Sequence, residues 1–306
     1  MSSTATSPAT LAARGDAAAS ATSPSVRLIM RLAAIFGIAT VITGSINSAT
    51  GSGFACPTWP GCYPGHFGPE AEVHDIIEFG HRIIAASTGF VLLGAAVTSI
   101  WLRRARPMVR ILPWAAVVGA ILSAVFGRMV VLNGGISKAQ ATLDLFGALT
   151  VLMATTLVTL SVNRGTPRWH WTPLSRWATG CMAGVVVLHL LGVVVAGKGS
   201  FTAVVGWPMW RIVSQDVAVG LQVFRLVFAA GLAVALFLLA RKGWHQPTLR
   251  PVLATLVGLF ALEFVLGQVM AQKGVDMWWA AGHCAAAGLI LVCVTLVAGR
   301  SAFDRL

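Results

Sequence analysis

The chain has 306 residues, 57% of them hydrophobic and only 10% charged, with a net charge of +12 and a mean hydropathy of +0.80. A soluble domain carries about 25% charged residues, so this composition excludes an ordinary soluble enzyme and points to an integral membrane protein. The positive charge does not imply nucleic acid as a partner, because Lys and Arg lie in short links between apolar runs rather than in one patch.

Residues 1–26, rich in Ser, Ala, Thr and Pro, read as a disordered cytoplasmic tail. Eight apolar stretches follow that reach the roughly 20 residues needed to cross a bilayer. They cover about 29–49, 76–101, 108–132, 139–162, 176–197, 214–240, 248–272 and 277–298. Helix is the expected form, giving an all-α integral membrane fold, since a chain in lipid must satisfy its own backbone.

Basic residues set the expected orientation. Lys138, Lys198, Arg211 and Lys273 lie in one set of links, and Arg82, Arg128 and Arg225 lie within spans; the other fifteen of the 22 occupy the opposite set. That bias puts both termini in the cytoplasm of a multi-pass cell-membrane protein. The loop after the first span is then extracytoplasmic, where a disulfide persists.

The loop and the start of the second span, Gly51 to Arg82, concentrate the polar chemistry. They hold Cys56, Cys62, Glu78, His81 and Arg82. Cys56 and Cys62, six apart, are expected to form a disulfide that is either an exchangeable electron relay or a staple. Cys181, Cys284 and Cys293 lie in apolar runs and read as buried small residues. Glu78 and His81 share a helix face. Glu78 either manages protons or pairs with Arg82 or Arg128. His74 reads as a solvated loop residue, and His170 and His245 as interface anchors.

The chain also repeats itself. TGSG at 50–53 matches AGKG at 196–199, and FGHRI at 79–83 matches QVFRL at 222–226. VFGRMVVLNGG at 125–135 matches FVLGQVMAQKG at 264–274, and TLDLFGAL at 142–149 matches AGHCAAAG at 281–288. The offsets fall from 146 to 139, which predicts two parallel four-helix repeats, over 27–165 and 166–300, with 301–306 as a tail. In this register His81 corresponds to Phe224, Asp144 to His283 and Arg82 to Arg225. Four-helix bundles hold haem between facing helices through histidine ligands.

With TGSGFACPTWPGC followed by EFGHR, and more weakly DLFGAL, the chain resembles the haem A synthase family over roughly 27–298. The resemblance implies oxidation of a methyl group of haem O to a formyl group. It implies substrate haem in the first half, haem b in the second, and haem O synthase or oxidase assembly proteins as partners. The family's histidines lie on spans 2, 4, 6 and 8; here His81 and His283 remain as expected iron ligands, while Asp144 and Phe224 occupy the other two places. Arg82 and Arg225 are candidates to hold haem propionates, the alternative being ion pairs with Glu78, Asp216 or Glu263. Asp144 is expected to pair with Arg128 or to accept from His81, and His189 to hydrogen-bond within the bundle. With two histidine places changed, a non-catalytic haem-binding assembly factor is the first rival reading. A membrane thiol oxidoreductase using Cys56 and Cys62 is the second.

Overall fold

Long apolar runs joined by short links leave the backbone one economical solution in lipid, and the chain adopts it. The computed structural model describes residues 23–102, 107–164, 168–195, 219–274 and 276–303. Its helices are α1 (Pro24–Ala49), α2 (Val73–Trp101), α3 (Pro107–Asn133), α4 (Lys138–Asn163), α5 (Pro173–Val195), α6 (Val219–Gly243), α7 (Arg250–Lys273) and α8 (Met277–Phe303). All eight are long and apolar enough to cross a membrane, and the molecule is a multi-pass membrane protein. The predicted tail residues 1–22, the AGKG segment, Lys198, Arg211, Asp216 and Arg305 lie outside the described residues.

Local signals set several ends. Ser23 caps α1, its hydroxyl accepting from the Val26 amide, with Pro24 in the first turn. Ser137 and Gln140 form a reciprocal capping box at the start of α4. The helix α8 runs three residues into the stretch expected as a tail, because Ser301, Ala302 and Phe303 are buried and the Phe303 ring meets Trp169 edge-on at 5.4 Å.

The packing has the symmetry of the repeat. In the first half α1 packs on α2 and α4, and α3 on α2 and α4; in the second, α5 packs on α6 and α8, and α7 on α6 and α8. The halves meet through α1 with α8, α4 with α5, and α4 with α8. Accordingly α4 and α8 are the most enclosed helices, and the main apolar cluster crosses the junction through Val41, Leu149, Leu152, Leu188, Ile290 and Leu291.

Hydroxyls and glycines tie the helices, as expected where lipid offers no hydrophobic drive between them. Thr159 donates to the Met30 carbonyl at 2.6 Å, and Thr88 to the Phe36 carbonyl at 3.2 Å. The closest approach is α3 on α4. A Cβ added to Gly119 would stand 2.6 Å from the Gly147 carbonyl oxygen, and one on Gly147 would stand 2.6 Å from that of Gly119. Gly147→Val should therefore destabilise the protein by about 1–3 kcal/mol through overpacking. Gly89→Ala, at a position with open space around it, serves as the control. Equal thermal midpoints for the two variants in detergent would contradict this contact.

Candidate functional site

The loop between α1 and α2 is a small folded unit. Cys56 and Cys62 form a disulfide with a Cα–Cα distance of 4.3 Å, and neither residue is exposed. The ring they close is braced by the Thr58 amide donating to the Cys62 carbonyl and the Cys62 amide donating to the Phe67 carbonyl. The Phe67 ring stands edge-on to Phe79 of α2, centroids 5.5 Å apart.

Helix α2 clamps this ring from below. Glu78, Arg82 and His74 recur every four residues, the spacing of one helix face. The guanidinium of Arg82 donates to the carbonyls of Thr58 (2.5 Å), Gly61 (2.8 Å) and Cys56 (3.0 Å), and pairs with the Glu78 carboxylate. The second Glu78 oxygen accepts from the Cys56 amide at 2.7 Å. One buried ion pair therefore serves four backbone groups of the loop, the arrangement that makes a buried pair tolerable. Of the two cations expected as partners for Glu78, the structure shows Arg82. Arg128 lies over the Trp59 ring, 5.6 Å from its centroid.

The rim of the loop is tied separately. Tyr63 donates to Asp75 at 2.5 Å, and the Glu70 amide donates to the same oxygen at 3.3 Å. The bond to Asp75, then burial and the nearby carboxylates, pushes the Tyr63 pKa up to about 12, so the phenol stays a donor. His74 is exposed but not merely solvated: its Nδ1 meets the Ser52 hydroxyl at 2.9 Å.

His81 turns away from the loop towards α1. Its Nδ1 lies 3.1 Å from the Thr43 hydroxyl, and its ring edge fits against Gly44, where a Cβ would come within 2.9 Å of Cε1. Asp144, across the bundle on α4, is half-buried. The structure does not bring it to Arg128 or to His81; Ser123 of α3 donates to its backbone carbonyl at 2.8 Å.

The second half has no disulfide loop among the described residues, yet it buries more charge. His189 of α5, Arg225 of α6, Glu263 of α7 and His283 of α8 are each at most 6% exposed. Arg225 lies within electrostatic reach of both Glu263 and His189. His283 places Nδ1 3.2 Å from the Glu263 carbonyl and Nε2 3.7 Å from the Glu263 carboxylate. His189 places Nδ1 2.7 Å from the Val185 carbonyl. Phe224 is 54% exposed and stacks on Phe228. Sequence reasoning named Glu263 only as an alternative partner for Arg225. A lone carboxylate in mid-span was the signal that could have placed it at the centre.

Fold and site together define a multi-pass membrane protein with two four-helix halves, each carrying histidine and arginine within its helices. The family model of cytochrome oxidase assembly proteins, COX15-CtaA, matches residues 27–295, and the chain belongs to that family. It is similar to a Heme A synthase of Shouchella clausii, 27% identical over 248 residues, covering 77% of this chain and 80% of the relative. It is also similar to a Heme A synthase of Symbiobacterium thermophilum, 27% identical over 218 residues, 67% of this chain and 70% of the relative. A Protoheme IX farnesyltransferase of Halobacterium salinarum matches over 150 residues at 27% identity, 47% of this chain but 32% of that protein.

The donor set fits a haem better than a bare ion. Among the described residues no group of three or more His, Cys, Asp or Glu side chains gathers to hold a metal. Iron already held in a porphyrin needs only axial ligands. A backbone carbonyl can only accept, so Nδ1 of His189 and of His283 carries a proton; Nε2 of His189 then keeps its lone pair, while Nε2 of His283 faces the Glu263 carboxylate. Ligating histidines take this form, with the other nitrogen donating to a carbonyl.

Removing the clamp should loosen the loop. Arg82→Gln leaves the Glu78 carboxylate buried and unpaired, a cost of about 3–5 kcal/mol. The Cys56–Cys62 disulfide should then be reduced faster by a small thiol than in the unaltered protein, and Glu78→Gln added to Arg82→Gln should restore part of the protection. Unchanged reduction kinetics in Arg82→Gln would show that the clamp does not hold the ring shut.

Proposed function

We propose that this protein is a haem A synthase-like membrane oxidoreductase, acting on haem O as substrate and using a haem b in its second half. The observation that carries this reading is the division of labour within EFGHR: Glu78 and Arg82 hold the disulfide loop over the bundle, while His81 packs its ring against Thr43 and Gly44 of α1. Family membership and two Heme A synthase relatives support the same substrate class.

In this reading His81 binds the iron of the substrate haem, and Thr43 and Gly44 fix the ring that does so. Converting a methyl to a formyl group with water as the oxygen source (R–CH3 + H2O → R–CHO + 4 H+ + 4 e−) releases protons and electrons that must leave the site, the electrons to an external one-electron acceptor. A haem b, when bound, supplies the one-electron chemistry for that. Glu78, at the loop junction, is the nearest carboxylate on the His81 face of α2 to move a proton outward. Its pairing with Arg82 keeps it ordered in the resting state. Arg225 and Glu263 neutralise each other in the second half, where Arg225 is placed to meet a propionate. The inaccessible sulfurs of Cys56 and Cys62 favour the staple over the relay, because exchange requires a thiolate to reach a sulfur. The orientation we propose places the loop outside the cell membrane and both termini in the cytoplasm.

The rival reading is a haem-binding assembly factor without turnover, which the Asp144 and Phe224 replacements favour. Expression in a host that makes haem O but lacks its own haem A synthase separates the two. Chromatography of extracted haems should show haem A, and His81→Ala should remove it. Haem O recovered bound but unconverted in the unaltered protein would overturn the catalytic reading in favour of the assembly factor. For orientation, a reporter that fluoresces only in the cytoplasm, fused after Leu306, should be bright. A dark fusion at normal abundance would reverse the orientation.

A further inference from the structure

We propose that His189 is the iron ligand that Phe224 cannot supply, so that the haem of the second half is bound by His189 of α5 together with His283 of α8. This rests on the haem-binding part of the functional reading above and not on turnover.

Three observations converge. The first is register. The offset of 146 that aligns TGSG at 50–53 with AGKG at 196–199 also aligns Thr43 with His189. In the first half Thr43 touches the His81 ring from α1. The two positions, one on the first helix and one on the second, therefore face a common space. In the second half the imidazole has moved from the second helix of the repeat to the first, and the phenyl ring has taken the place it left. The packing of α5 on α6 agrees, because His189 lies within reach of Arg225, the neighbour of Phe224 in the chain.

The second is the state of the ring. His189 is 4% exposed, and its Nε2 has no hydrogen-bond partner among the described residues. Leaving a buried nitrogen without a partner forfeits the solvation it had in water. A residue that served only to tie helices together would not leave that nitrogen empty. Its Nδ1–H is held by the Val185 carbonyl one turn back on α5. The tautomer is thus fixed with a lone pair on Nε2, the state in which histidine ligates iron. His283 is likewise held at Nδ1, by the Glu263 carbonyl.

The third is Phe224 itself. More than half exposed and stacked on Phe228, it turns outward rather than into the bundle. The second half therefore does not use this position as the first half uses His81.

The test is spectroscopic and needs no turnover. The full chain is purified in detergent from cells supplied with haem, and its absorption and paramagnetic resonance spectra are recorded with haem content. The unaltered protein should show a low-spin, bis-imidazole signal. His189→Gly should lose that signal while keeping the haem held at His81, and added imidazole should restore it through the vacated space. His189→Met should stay six-coordinate with a shifted reduction potential. In His189→Ala, adding Phe224→His should recover low-spin character if the repeat register is right. A low-spin signal that survives His189→Gly would overturn the ligand assignment and leave the proposed function standing. Failure of the unaltered protein to bind any haem would overturn both. Size-exclusion profiles identify a variant that merely misfolds, and imidazole rescue in His189→Gly then decides.

Discussion

A single cation near the membrane surface organises the first half. Arg82 sits where lipid cannot solvate it, and the structure answers with three loop carbonyls and the Glu78 carboxylate. Each partner needs the others. Without the loop carbonyls the guanidinium is under-coordinated, and without Arg82 the carboxylate is a buried charge. Without Glu78 the Cys56 amide loses its acceptor. The disulfide then keeps the seven-residue ring in the shape whose carbonyls converge on that fork. Loop, disulfide and helix are thus one cooperative unit. Its consequence for function is that His81, one residue from Arg82, has its depth and rotation fixed by a clamp on the adjacent position of the same helix.

The second half solves the same problem with other groups. Arg225 occupies the Arg82 place in the repeat, but its opposite charge comes from Glu263 on α7, not from its own helix. The stabilising pair therefore links α6 to α7, and Glu263 reaches α8 as well through His283. Where the first half braces a helix against a loop, the second braces helices against one another.

How much of this was legible beforehand follows from what each signal depends on. The eight spans were legible because length and hydropathy alone decide whether a segment crosses lipid. The disulfide was legible because two cysteines six apart in a Pro- and Gly-rich loop have few other partners. Side-chain pairing was less so, because it depends on how each helix is rotated about its axis and on how the loop folds back. Glu78 had two possible cations, and only the folded ring shows that Arg82 is also wanted by three carbonyls. Arg128 was expected near Asp144 or Glu78, yet the loop carries Trp59 over it and the cation meets a ring face instead. Asp144 was paired in expectation with charges it never reaches. His74 looked solvated because its contact, Ser52, comes from a turn that no pattern announces. In the second half Glu263 was visible as a lone acid in an apolar run, but its place between Arg225 and His283 required the packing of three helices.

The two halves also show why a ligand can change helix without the fold changing. A four-helix bundle presents several side chains to one interior space, and a position on α1 already touches the His81 ring on α2. An imidazole placed at the equivalent position on α5 enters the same space from the next helix. Its anchor is the carbonyl one turn back, which any helix provides, so the ring needs no new partner to fix its tautomer. The change then asks little of the backbone and leaves the residue at the old position free to become exposed, as Phe224 is. Loss of a histidine from an expected place in such a bundle is therefore weak grounds for inferring loss of the group it held. The stronger ground is the chemical state of the histidines that remain: which nitrogen carries the proton, and whether the other has found anything to bind.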